Sequence, residues 1–406
     1  MDHRVFGMVL AFISFQCDKP SSDPSAAPPP PGAEDRAEAD KGGEPTGPDP
    51  SPPPLLPGNT IAAGYRATCA IYDNDAIACW GDMLAQAVSP DADPLRPYII
   101  KNLRAGPSSR LALGGAHGCI IVDGEGVVRC WGRNQAGQLG ADSAQPDDVI
   151  VVPLPRPARA VAAGADDSCA VLDSGEIYCW GNNYEGQLGN GGTSVRSSPT
   201  PVVGIRSAVA VTAGGDFTCA RLADGSARCW GRNFFGKLGD GTTQWRLSPV
   251  AVGGLTDVVE VVAGGVLACA RKRTGTVHCW GSNTFGSLGQ GTADPNDHPT
   301  PQAVQNLTDA VQIGAGAAFA CALRAGGQVV CWGYNHEGQL GDGTGRQRMQ
   351  PTPVVGLSDI AEITVGQNHA CARRASGQAW CWGLNKQGQL GDGTTEQRLE
   401  PRPVRW

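Results

Sequence analysis

Charge is scarce in this 406-residue chain. Only 17% of residues are Asp, Glu, Lys or Arg, and the formal net charge is −7. That balance argues against nucleic-acid binding, which neutralises phosphates with clustered Lys and Arg. Aromatics are few, at 6%. Beyond the first fifteen residues there is no long apolar run, so nothing after a cleaved signal is expected to span a bilayer as a helix. The 57 glycines follow no Gly-X-Y period, which excludes collagen. HExxH, GxSxG, Walker and EF-hand spacings are missing, and with them the chemistries they carry. GDGTG at Gly341 is a weak phosphate-loop lookalike that glycine abundance explains. Asp240, Asp342 and Asp392, in Asp-Gly-Thr loops, offer one carboxylate each where calcium takes several. No catalysis and no cofactor are expected.

The N-terminus does carry an apolar segment. Val5 to Phe15 (VFGMVLAFISF) follows MDHR and precedes Cys17, as in an export signal too short to cross a bilayer. It resembles a bacterial lipoprotein signal, with Cys17 as the lipidated residue. Ser14, Phe15 and Gln16 depart from the pattern such signals prefer. Residues 18–57 are rich in Pro, Ser, Ala and acids, with four prolines at Pro28 to Pro31 and three at Pro52 to Pro54. Such a composition cannot bury a core and reads as a disordered tether. The expected organisation is signal 1–17, linker 18–57 and folded domain 58–406.

What the chain has in abundance is self-similarity. Its 15 cysteines fall into seven pairs and one leftover. The pairs are Cys69 with Cys79, Cys119 with Cys130, Cys169 with Cys179, Cys219 with Cys229, Cys269 with Cys279, Cys321 with Cys331, and Cys371 with Cys381; the leftover is Cys17. First members recur every 50 residues, with one step of 52. Within a unit such as Val211 to Thr242 there is no 3.6-residue period. Short alternating segments between turn residues read as strands. Placing Cys169 opposite Cys179 sets Val171 across from Ile177 and leaves the loop Asp173-Ser174-Gly175, suited to a type I turn with a left-handed third residue. Gly225, Gly275, Gly327 and Gly377 fill the same slot. Asp75 fills it in the first unit, which is expected to be less regular. The second unit, between Cys119 and Cys130, holds one residue more. Directly opposed residues lie within disulfide reach, so each pair is expected to close inside its own hairpin after export to an oxidising compartment. Each bridge would contribute at most about 2–3 kcal/mol by chain entropy. Ten-residue spacing without CxxC makes zinc a poor rival. Seven units of about fifty residues imply an all-β, seven-bladed β-propeller. The terminal EPRPVRW matches PTPVVGI and PTPVVGL, taken as starts of other units, so the C-terminal strand is expected to complete the N-terminal blade.

From Cys229 the chain reads CWGRNFFGKLGDGT, and variants return at Cys179, Cys279, Cys331 and Cys381. These residues resemble the regulator of chromosome condensation repeat family: Trp-Gly-x-Asn-x-aromatic-Gly-Gln-Leu-Gly-x-Gly, a Pro-containing strand, then Ala-Gly with a nearby His. The resemblance covers 58–406, is clear in repeats two to seven and degenerate in the first (WGDMLAQAVSP). Paired cysteines set the chain apart from intracellular members and resemble exported bacterial ones. The resemblance implies that Trp180, Trp230, Trp280, Trp332 and Trp382 are core, and that Asn183, Asn233, Asn283, Asn335 and Asn385 bond loop backbone. His117 and His369 occupy the family's His slot, which Asp167, Phe217, Leu267 and Phe319 fill elsewhere; it is a scaffold position. Two functions follow from the family. One is a non-catalytic platform whose propeller-face loops bind a protein, peptide or glycan at the cell envelope or surface, as a monomer held to the membrane only by a lipid. The alternative is guanine-nucleotide exchange on a small GTPase, the activity of the best-known member. That activity uses a protruding wedge for which the near-constant spacing leaves no room. Loop residues differ between repeats while core residues are copied, so the exposed anchors are expected at Tyr184, Phe234 and Trp245.

Overall fold

The computed structural model describes residues 60–405, apart from 73–74, 83–94, 96, 107–108, 123 and 142–148. The chain divides into two units, Met1–Pro52 and Pro53–Trp406, and every described residue belongs to the second. The signal, Cys17 and the Pro-rich tether lie outside the described residues.

The described residues form seven antiparallel sheets of four consecutive strands each, a seven-bladed β-propeller. Blade 4 shows the construction. Its strands, from the channel outward, are Ala208–Ala213, Phe217–Leu222, Ala227–Gly231 and Arg246–Ala251. The hairpin between the second and third strands has the register read from sequence: Cys219 faces Cys229, as Cys169 faces Cys179 and Val171 faces Ile177. Leu172 accepts from the Gly175 amide at 2.9 Å, and Gly175 has φ +84°, the left-handed conformation a Cβ disfavours. Asp75 adopts φ +64° in the same slot and is the exception to glycine there.

The cysteines are bonded pair by pair within the hairpins. Cys69 is joined to Cys79 across the hairpin that contains Asp75. Cys119 is joined to Cys130 across the longer second hairpin, where the two still stand directly opposite each other. The extra residue is therefore absorbed in the turn and not in the ladder. The same bond links Cys169 to Cys179, Cys219 to Cys229, Cys269 to Cys279, Cys321 to Cys331 and Cys371 to Cys381. All seven pairs have Cα atoms 4.0–4.1 Å apart.

The repeated tryptophan joins neighbouring blades. Trp280 of blade 5 packs on Cys219, Cys229 and Leu238 of blade 4, and all seven repeat tryptophans are fully buried. At about 25 cal/mol per Å² and roughly 150–250 Å² apiece, each contributes a gross burial of about 4–6 kcal/mol. Six of the seven indole N–H groups are satisfied across a seam, and Trp131 Nε1 has no acceptor among the described residues. Trp180, Trp230, Trp280, Trp332 and Trp382 donate at 2.8–3.0 Å to backbone carbonyls of the preceding blade.

The inner strands line a central cavity of about 290 Å³, and a closed ring of backbone bonds runs just beyond their ends. Tyr65, Gly115, Ala165, Gly215, Gly265, Ala317 and Gln367 each donate an amide to a carbonyl of the next blade, at 2.8–3.3 Å, and Gln367 closes the circle on Gly64. This explains the Ala-Gly signature. A Cβ on Gly264 would sit 2.3 Å from the Gly316 carbonyl oxygen, and Gly64, Gly114, Gly214 and Gly366 meet their neighbours at 2.3–2.4 Å.

One expectation is corrected. The C-terminal strand does not complete the first blade. Arg398–Pro403 pairs with Ala379–Gly383 of its own blade, and blade 1 holds four consecutive strands of its own. The Pro-containing segments taken as starts of units are the outer strands of the blades before them: Arg196–Pro201 pairs with Ile177–Gly181. A proline has no N–H to give a ladder, so it belongs on the outer edge. Beyond the backbone bond from Gln367 to Gly64, the ring closes by side-chain contacts and not by a shared strand. Glu362 accepts from the Thr60 amide and hydroxyl and the Ile61 amide, Thr364 Oγ1 accepts from the Ala63 amide at 2.9 Å, and Trp80 donates to the Gln389 carbonyl at 2.9 Å. Ile61, Ala70 and Trp80 pack on Cys371, Cys381, Leu390 and Val404.

Candidate partner-binding face

Most of the repeated loop is committed to its own architecture. Asn233 accepts from the Leu238 amide at 2.9 Å and donates to the carbonyls of Thr242 and Gln244 at 2.9 and 3.0 Å. Asn183 and Asn335 repeat the pattern. The Asp-Gly-Thr carboxylates are likewise spent. Asp240 Oδ1 accepts from the Thr242 amide and hydroxyl, and its Oδ2 accepts from Arg246 Nε at 2.8 Å; Asp342 with Arg348 and Asp392 with Arg398 do the same at 2.6 Å. Burial pushes these carboxyls up, but the Thr and Arg bonds together hold them below the ordinary value. An arginine thus stands where a cation would be sought. Among the described residues no three His, Cys, Asp or Glu side chains come together to hold a metal.

The histidine slot is an inter-blade joint. His117 Nε2 lies 2.8 Å from Ser168 Oγ of the next blade, and His369 Nε2 lies 2.8 Å from Thr68 Oγ1. Each hydroxyl donates onward to a backbone carbonyl, so each Nε2 carries the proton and donates. Burial pushes the rings down to about 4 and about 3, which keeps them neutral. Phe217, Leu267 and Phe319 fill the slot with apolar bulk. Asp167 does not fit: it is 1% exposed and neither carboxylate oxygen has a donor among the described residues. Burial, with Asp166 and Asp216 adding to it, raises its carboxyl well above the usual range.

Exposed aromatic surface concentrates on the third-to-outer strand loops of blades 3 and 4. Tyr184 is 71% and Trp245 45% exposed; Phe234 is half-buried. Phe234 and Trp245 meet edge to face at 5.9 Å between centroids, and the Arg232 guanidinium lies 4.1 Å over the Phe234 ring and 5.7 Å from Trp245. Arg232 in turn pairs with Asp216 at 3.3 Å and with Glu185 of blade 3 at 3.5 Å. Buried Lys237 forms a second ion pair with Asp216 and donates to the Gly265 carbonyl at 3.2 Å. Phe234 and Trp245 are therefore one cluster, while Tyr184 stands one blade away, joined to it through its neighbour Glu185. The loop carries a backbone outlier: Phe235 has φ +66°, whereas Glu185, Phe285, Glu337 and Gln387 at the same position do not leave the negative-φ region. For a bulky side chain this costs about 1–3 kcal/mol. Sequence reading passed over the charges beneath the aromatics. The signal was present in Lys237, which replaces the Gln of the Gly-Gln-Leu-Gly motif, and in Asp216 after Gly-Gly.

A profile of the RCC1-like domain matches residues 89–406. Mouse "Probable E3 ubiquitin-protein ligase HERC4" is 32% identical over 83 residues, 20% of this chain and 8% of that protein. Arabidopsis thaliana "Ultraviolet-B receptor UVR8" is 37% identical over 95 residues, 22% of this chain and 21% of that protein. The matched stretch thus spans a minor part of these relatives. Among solved structures, yeast RCC1 (Prp20) bound to Kap60 superposes with TM-score 0.73 at 19% identity, covering 92% of this chain and 91% of that one. Human WBSCR16 superposes with TM-score 0.69 at 24% identity, covering 78% and 86%. At these identities the structural likeness establishes the fold alone. Seven disulfides are a feature of proteins that fold in oxidising compartments, and no helix among the described residues is long and apolar enough to cross a membrane.

Proposed function

The chain belongs to the RCC1-like domain family, and on that premise we propose that it is a non-catalytic scaffold, exported to the bacterial envelope, that binds a protein partner through the loop face of blades 3 and 4. The observation that carries this reading is Tyr184 and Trp245 held in the open, in an array that buries every repeat tryptophan. Large exposed aromatics over a fixed charge network are how interface anchors are built. Arg232 and Asp216 hold Phe234 and Trp245 in place before a partner arrives, which lowers the ordering cost of binding. Yeast RCC1, of the same architecture, is solved with Kap60 bound, and another structure of Prp20p is described with its binding to Gsp1p and histones; such propellers serve protein partners. Export and anchoring through Cys17 rest on the N-terminal sequence, and the seven disulfides agree with an oxidising destination.

The test is affinity capture from envelope extracts with the full chain and with a Tyr184→Ala, Phe234→Ala, Trp245→Ala variant, run beside a nucleotide-release assay on small GTPases. A partner retained by the wild type and lost by the variant, at unchanged melting temperature, supports the scaffold. Accelerated nucleotide release would replace it with exchange-factor activity. Cys17→Ala should release the protein from the membrane fraction.

A further inference from the structure

In three blades the third residue of the innermost strand faces an arginine of the second strand. In blade 5 these are Glu260 and Arg271, and the carboxylate accepts from Arg271 Nε at 2.8 Å. In blade 7 they are Glu362 and Arg373. In blade 4 the arginine is kept as Arg221, but its cross-strand partner is Ala210. Here the base stands without the acid. Arg221 Nε is shut off from solvent and has no acceptor among the described residues. An unsatisfied buried donor on a charged group is among the costlier arrangements a fold can hold. Arg273 of blade 5 is exposed, and its like charge is felt at Arg221. Burial, and then the like charge of Arg273, lower the Arg221 guanidinium from its ordinary value; a second cation makes the want of negative charge greater.

We infer that Arg221 forms an oxyanion-binding point at the hairpin end of blade 4, taking a carboxylate or phosphate in the place that Glu260 fills beside Arg271. A guanidinium suits such a group because its planar fork presents parallel N–H donors to two oxygens. The point lies at the hairpin end of strand Phe217–Leu222, where Arg221 faces Ala227. The aromatic loop leaves from Gly231, which faces Phe217 at the other end. The oxyanion point is therefore independent of the aromatic face and does not rest on the scaffold reading. Its ligand is either a free small anion or a carboxylate presented by another polypeptide.

The experiment measures binding of inorganic phosphate and of a blocked Gly-Glu-Gly peptide to the full chain by titration calorimetry and by melting temperature. Two variants accompany the wild type. Arg221→Met removes the fork and keeps the aliphatic stem. Ala210→Glu supplies an internal carboxylate in the register of Glu260. Both should bind roughly tenfold or more weakly, as expected for loss of hydrogen bonds to a charged group, and Ala210→Glu should melt higher than wild type without any added anion. Phosphate binding that both variants lose identifies a free anion. Peptide binding without phosphate binding identifies a presented carboxylate. Equal affinity in all three proteins, or no binding of either probe, overturns the inference.

Discussion

Asp167 offers a sharp quantitative test of how the blades are joined. Its slot holds His in blades 2 and 7 and apolar side chains in blades 4, 5 and 6, and only in blade 3 is it filled by a buried carboxyl with no donor among the described residues. Because burial raises the folded value above the unfolded one near 3.9, the group contributes its stability fully below the unfolded value. That contribution is lost as pH rises toward the folded one. The loss runs at about 1.4 kcal/mol per pH unit. Asp167→Asn keeps the shape and removes the ionisation. The stability difference between it and the wild type should therefore open with pH at that slope, starting near pH 4, while every other titration cancels. Asp167→His should do more. Thr218 Oγ1 of the next blade already donates to the Gln187 carbonyl at 2.9 Å, as Ser168 and Thr68 do to theirs, so it stands ready to accept from a histidine Nε2. Removing an unsatisfied buried group of about 1–3 kcal/mol and adding a hydrogen bond of about 0.5–1.5 kcal/mol predicts a gain of roughly 2–4 kcal/mol at pH 8, where histidine is neutral folded or unfolded. Denaturant unfolding followed by tryptophan fluorescence from pH 4 to 8 reads both. A flat difference for the Asn variant, or a His variant less stable than wild type, would refute the reasoning.

Other consequences are equally open to measurement. His117 and His369 are pushed down to about 4 and about 3, so their contribution is fully present above the unfolded value near 6.5 and is lost progressively as pH falls from there through the folded values. Replacing both with Phe, the residue of blades 4 and 6, should flatten acid unfolding between pH 6.5 and 4; an unchanged acid limb would contradict the neutral-histidine assignment. Gly264→Ala would place a Cβ 2.3 Å from the Gly316 carbonyl oxygen and should cost about 1–3 kcal/mol in chemical denaturation; a neutral result would mean the inner ring yields freely. Non-reducing peptide mapping of exported protein should return the seven within-hairpin disulfides, including Cys69 to Cys79 in the irregular first unit and Cys119 to Cys130 in the lengthened second. Any cross-repeat link would contradict the register.

What could be read from the sequence was local. The fifty-residue period, the hairpin opposing Cys169 and Cys179 and the left-handed slot at Gly175 all depend on residues about ten apart, where spacing, turn chemistry and the two-residue alternation of a strand set geometry almost alone. The number of blades followed from counting those hairpins. Aromatic anchors could be proposed because they break a repeated pattern, and Tyr184 and Trp245 do stand exposed.

What tertiary structure decided was every relation between one hairpin and the next. Sequence could not assign the Pro-containing strands, because a segment midway between two cysteine pairs matches either neighbour by pattern; only pairing gave Arg196–Pro201 to blade 3 and Arg398–Pro403 to blade 7. That Trp180 seals the seam to blade 2, that Glu362 holds Thr60 across the closure, and that Arg232 joins Glu185 to Asp216 beneath Phe234 are contacts made across blade boundaries. So is the want, among the described residues, of a donor to Asp167 and of an acceptor for Arg221 Nε. Such contacts carry no periodic signature. They exist only once seven separately legible hairpins are bent into a ring whose packing brings those side chains within bonding distance.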